Sequence, residues 1–134
     1  MTTTQAVVQR ARNAADLIES VRWPGNLTTI EVSAAGYQDF GMQVQSFEAG
    51  PAVVDTLLAW FYYLDNPVIT SYGDDGETLA VRLEGSSAFG TVRVYGGLSG
   101  ADAEFIRSTP GGAETLSVQR LRNLQVAQRS GGAR

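Results

Sequence analysis

The chain has 134 residues, 43% of them apolar, a net charge of −4 and no Cys or His. A chain of this length and composition supports one hydrophobic core and excludes disorder as its main state. The missing residue types exclude disulfides, thiolate chemistry, Ser-His-Asp triads and nearly all transition-metal sites. Lys is also absent, so all ten basic residues are Arg, which removes Schiff-base chemistry and the P-loop lysine.

The first element predicted is a helix. Thr2 to Gln5 forms a capping box, and Val7, Ala11, Ala14, Ile18 and Val21 recur at helical spacing with Leu17 beside them. Trp23-Pro24-Gly25-Asn26 ends it. Next, Ile30, Val32 and Ala34 alternate with polar residues, Gly36 to Asp39 provides a turn, and Phe40, Met42 and Val44 alternate on the return. This is the pattern of a half-buried hairpin.

Gly50-Pro51 opens a second helix whose apolar face comprises Val53, Val54, Leu57, Leu58, Trp60, Phe61 and Leu64. Asp55, Thr56, Ala59 and Tyr63 are its expected solvent side, and Asn66-Pro67 its stop. The run Trp60 to Tyr63 cannot all point inward on a 3.6-residue period, so at least one ring reaches a rim. Three strands follow: Val68 to Tyr72, then Leu79, Val81 and Leu83 after the polar turn Gly73 to Gly76, then Val92 and Val94 after a turn over Gly85 to Gly90. Short connections favour antiparallel neighbours.

The fold expected is therefore α+β: a two-layer sandwich with a mostly antiparallel five-stranded sheet, helices on one face and the order α-β-β-α-β-β-β. A core domain over residues 1–98 precedes a helical arm and flexible tail over 99–134. In the arm, Ser99 to Asp102 resembles a capping box for a short helix through Ile106, and Thr109 to Gly112 breaks it. Leu116, Val118, Leu121, Leu124 and Val126 read as helix with Arg120, Arg122 and Arg129 exposed.

Charge is unevenly placed. Residues 23–104 carry Arg82 and Arg93 against eleven carboxylates, a sum of −9, and residues 105–134 carry five Arg against Glu114, a sum of +4. An acidic body repels phosphates, so nucleic acid is disfavoured as a partner. The basic arm suits an acidic protein surface, including a second copy of the chain. No apolar run reaches the length of a membrane span, and Met1 to Gln5 lacks the features of a secretory signal. A cytoplasmic location in the host cell is expected, with a virion as the alternative.

Candidate chemistry is sparse. Gly97-Leu98-Ser99-Gly100-Ala101 resembles a nucleophile elbow but has no His to serve it; a loop and helix cap explains it. Asp74, Asp75 and Glu77 resemble the start of a calcium loop, yet Gly85 stands where the twelfth-position Glu belongs. Glu31, Asp39, Glu48 and Glu84 are acid–base candidates without a segment that predicts a pocket. No catalytic, metal or cofactor residue is assigned, and metal-independent folding is expected. The candidate contact residues are Arg82, Arg93 and Tyr95, which share the open sheet face, with Tyr63, Arg120 and Arg122, because Arg and Tyr are enriched at interfaces.

From Leu27 to Leu98 the chain resembles small uncharacterised proteins of actinobacteria and their phages or prophages. The resemblance rests on Thr29-Ile30-Glu31-Val32, on the passage Ala59-Trp60 to Leu64-Asp65-Asn66-Pro67-Val68, and on the polar hairpin before Ala80-Val81. It implies an origin in an accessory genome, with no catalytic motif to transfer. The expected function is that of a non-enzymatic protein-interaction protein of an actinobacterial phage or mobile element, binding a host or self protein, with homo-oligomers among its possible states. The alternative is a structural virion component assembling through its basic arm.

Overall fold

The computed structural model describes residues 2–23, 27–33, 40–44, 51–73, 75–108 and 115–130. It is an α+β structure whose helices pack on a sheet. Helix α1 (Thr3–Ser20) precedes strands β1 (Leu27–Val32) and β2 (Phe40–Val44). Helix α2 (Pro51–Tyr63) leads into β3 (Asp65–Tyr72), β4 (Thr78–Ser87) and β5 (Gly90–Ser99). Helix α3 (Gly100–Arg107), β6 (Thr115–Leu116) and α4 (Val118–Ser130) complete it. The expected turn over Gly36 to Asp39, Gly50 and the break over Thr109 to Gly112 lie outside the described residues.

The sheet differs from the sequence expectation in two ways. It has six strands in the order β1-β2-β5-β4-β3-β6, and β2 pairs with β5 in parallel. The parallel pair follows from connectivity. Helix α2 carries the chain past two strand positions, and β3 starts in the same direction as β2. The antiparallel run β3-β4-β5 then fills the gap, so its third strand meets β2 in parallel. The sixth strand is only two residues long and pairs with β3 at Ile69–Leu116 and Thr70–Thr115. No periodicity marks so short a strand.

The core lies between the sheet and the helices. Alternate residues of β4 (Leu79, Val81, Leu83) and β5 (Val92, Val94, Leu98) are buried against Val53, Leu57 and Trp60 of α2, Ala14 and Leu17 of α1, and Ala103 and Ile106 of α3. Leu121 and Leu124 of α4 belong to the same cluster. Two glycines set how closely α2 approaches. A Cβ at Gly96 would sit 3.0 Å from Val53 and one at Gly85 would sit 2.8 Å from Leu64. Gly85 therefore lies inside β4 for close approach and does not start a turn; the turn is confined to Ala88 and Phe89.

Several local features depart from the sequence pattern. Thr56 is fully buried, not on a solvent side, and Phe61 is half-buried at the edge of the core. Asn66-Pro67 lies inside β3: Asn66 takes the left-handed conformation (φ 50°) and the pairing with β4 shifts register between Asp65 and Val68, the mark of a bulge. Ser99 stands at the N-cap of α3 but makes no side-chain cap bond. The Thr2–Gln5 capping box of α1 is present in both directions. Arg120 is half-buried and donates to the Ile106 carbonyl, so it is not an exposed arm residue.

Candidate interaction surfaces

The face of the sheet opposite the helices is built by the residues that alternate with the core. Directly opposed pairs across β4 and β5 are Arg82 with Tyr95 and Glu84 with Arg93; across β3 and β4 they are Thr70 with Arg82 and Val68 with Glu84. The expected trio Arg82, Arg93 and Tyr95 is thus brought together, and Tyr72 and Glu84 join it. Arg93 forms an ion pair with Glu84 and a hydrogen bond with Tyr95. These bonds, Tyr95 first, hold its guanidinium above the ordinary Arg value. Arg82 lies 5.5 Å from the centre of the Tyr72 ring, a cation–π contact.

Tyr72 is 43% exposed, yet partial burial raises its phenol pKa above the usual 10.0, with Tyr95 adding to the rise and Arg82 and Arg93 opposing it. The face presents two Tyr rings, two Arg side chains and one Glu, already oriented by one another. Toward β2 the Tyr95 ring lies over the buried Gly41, where an added Cβ would sit 3.5 Å from it. Val68, 53% exposed, adds apolar area at the other side.

The other candidate contact residues lie elsewhere. The Tyr63 hydroxyl bonds Ser20 Oγ at 2.7 Å, and its ring meets Trp60 edge-on at 6.0 Å. Arg120 is engaged between α3 and α4. Arg122 is exposed and lies 5.2 Å from the centre of the Tyr62 ring. The sequence reading missed Tyr62, Tyr72, Glu84 as an ion-pair partner, and Trp23. For Tyr72 and Glu84 the signal was available: register across the β3-β4-β5 hairpins places both beside Arg82 and Arg93. For Trp23 and Tyr62 it was not, because their neighbourhood depends on where α4 docks.

Helix α4 lies against α2 and, to a lesser extent, α3. Asp55 near the start of α2 meets Gln125 (2.6 Å) and Arg129 (3.7 Å) of α4, while Tyr62 near the end of α2 meets Arg122. The two helices therefore run antiparallel. Gln128 Nε2 donates to Asp102 of α3 at 3.0 Å in a buried contact that ties α4 to α3.

No family model, curated protein or solved structure matches the chain. Among the described residues there is no group of three His, Cys, Asp or Glu side chains placed to hold a metal. No described helix is long and apolar enough to cross a membrane.

Of the acid–base candidates, Glu84 is committed to Arg93 and Glu31 is exposed on the edge strand β1. Asp39 and Glu48 lie outside the described residues. In the calcium-like turn, Asp75 accepts from the backbone N–H groups of Glu77 (2.9 Å) and Thr78 (2.7 Å) and from the Thr78 hydroxyl (3.1 Å), which is the work of a turn. Asp74 is outside the described residues.

Proposed function

We propose that the protein acts without catalysis, by binding another protein through the open face of its sheet. The observation that carries this reading is the cluster of Arg82, Arg93, Tyr72 and Tyr95, with Glu84, on neighbouring long strands. Arg and Tyr combine large contact area with directional hydrogen bonding, and here each is held by a neighbour, which lowers the ordering cost of binding. Strands β4 and β5 have ten residues each, so the face extends about 33 Å along them, a span suited to a standard interface of ~800 Å² per partner. The sequence resemblance supports a phage or mobile-element protein of actinobacteria, with a host or self protein as target.

The virion reading, assembly through the basic arm, draws less support. Arg120 is bound to the Ile106 carbonyl, Arg129 lies 3.7 Å from Asp55, and Arg122 lies over the Tyr62 ring, so each of these side chains already has a contact within its own chain rather than projecting as a free basic arm.

The test is affinity capture from host lysate, with and without phage infection, using the wild type, Arg82→Glu and Tyr95→Ala in parallel. A protein retained by the wild type and lost with both variants, while their thermal melts stay native-like, is the expected result. Capture unchanged by either substitution would place the binding surface elsewhere.

A further inference from the structure

The antiparallel helices α2 and α4 leave a cleft of about 510 Å³ on the side of the molecule away from the open sheet face. One wall is a single stripe of α2: Asp55, Leu58, Ala59 and Tyr62. The other is the α4 stripe Arg122, Gln125 and Arg129, and Trp23, just beyond α1, adds to the lining. Trp23 is 50% exposed and Tyr62 57%, a large aromatic area to leave in water along an open groove.

The cleft is positive in a chain whose net charge is −4. Two guanidiniums face one carboxylate, and that carboxylate is already occupied: Asp55 accepts from Gln125 at 2.6 Å and has Arg129 at 3.7 Å. Arg122 is held by the π face of Tyr62, and among the described residues no carboxylate pairs with it. Arg129 is 66% exposed, so its charge also reaches the opening. An apolar lining and, beside it, a guanidinium paired with no described carboxylate together select a ligand that carries an apolar side chain next to a carboxylate.

We infer that this cleft docks a short acidic segment of a partner protein, seating an aromatic or aliphatic side chain on Trp23, Leu58 and Tyr62 and a carboxylate at Arg122. The dimensions fit. Asp55 and Tyr62 are seven residues apart on one helix, about 10 Å, which accommodates roughly three residues of extended chain. A nucleic-acid strand needs a run of cations along its phosphates, whereas this cleft sets two guanidiniums beside a carboxylate. This site is independent of the open sheet face.

The test uses a displayed library of twelve-residue peptides selected on the full chain, with counter-selection on Arg122→Glu. Selected peptides should carry Asp or Glu beside an aromatic or aliphatic residue. Synthetic versions should bind Arg122→Glu and Trp23→Ala on the order of tenfold more weakly than the wild type, a loss near 1.4 kcal/mol. Trp23 provides a direct readout, since Trp60 is fully buried: a bound peptide should shield the acrylamide-quenchable tryptophan emission. Arg82→Glu, on the other face, should bind peptide normally, which separates this result from the fate of the sheet-face proposal. Selection of basic or neutral peptides, equal enrichment on Arg122→Glu, or tighter arginine-dependent binding of an oligothymidylate would overturn the inference.

Discussion

Asp75 shows how one residue can be read as chemistry or as architecture. Its carboxylate accepts two backbone N–H bonds and one hydroxyl bond within the β3–β4 turn, and these bonds, the Thr78 N–H first, lower its pKa below the ordinary 3.8. A carboxyl group with a folded-state value below its unfolded value contributes stability above the unfolded pKa and loses it as pH falls through the folded one. Acidification below about pH 4 should therefore cost the wild type more melting temperature than Asp75→Asn, whose amide cannot reproduce the charge. Carbon-detected NMR titration should place the Asp75 midpoint below 3.8. A midpoint at or above that value, or parallel melting profiles for the two proteins, would show that the turn does not depend on the carboxylate. The residue is fully exposed, so the effect belongs to the turn and not to the core.

At the scale of elements, α2 was the most legible part of the sequence, and it also shows where pattern reading stops. Its apolar residues and its start at Pro51 were plain, because a broad hydrophobic stripe has one physical explanation. Its solvent side was legible only in part: Tyr63 is exposed, but Thr56 is buried and Asp55 and Ala59 are half-buried, because α4 packs along α2 and periodicity does not report a second helix on that side. The β3-β4-β5 run was legible from alternation and Gly-containing turns. The parallel β2–β5 pair was not, since alternation reports which face a residue takes and says nothing of which strand lies beside it. Arg82, Arg93 and Tyr95 were legible as one face for the same reason that Trp23, Tyr62 and Arg122 were not legible as one cleft. The first set follows from period two along neighbouring strands, the second from a long-range docking. The depth of Leu57 gives a measurable consequence. It is 1% exposed and packs where Gly96 lets the sheet approach, so Leu57→Ala should destabilise by about 2–5 kcal/mol in a denaturant titration. Phe61→Ala, at a half-buried position, should cost distinctly less. Equal losses would mean that α2 is rotated from the orientation described.

On the scale of the whole molecule, the question is what holds the basic C-terminal segment against the acidic remainder. Charge alone suggests attraction between a segment of +4 and one of −9. The contacts assign the larger share to burial. Leu121 and Leu124 are fully buried in the common core, whereas Arg129 is 66% exposed and 3.7 Å from Asp55, a pair worth at most about 1 kcal/mol and screened by salt. Arg129→Glu, which sets a second carboxylate near Asp55, should therefore lower stability slightly and reverse the sign of this pair's salt dependence, while Leu121→Asp should release α4 altogether. Trypsin discriminates these outcomes cleanly, because the chain has no Lys and cleavage falls only at Arg. In the wild type Arg120 and Arg122 should resist brief digestion, since Arg120 is held at the Ile106 carbonyl and both sit on a packed helix. Leu121→Asp should make both sites cut rapidly at any ionic strength, and Arg129→Glu should leave them protected. If raised salt alone exposed those bonds in the wild type as fast as Leu121→Asp does, electrostatics would be the main tie, and the segment would be available to exchange its intrachain partner for the acidic surface of a second copy.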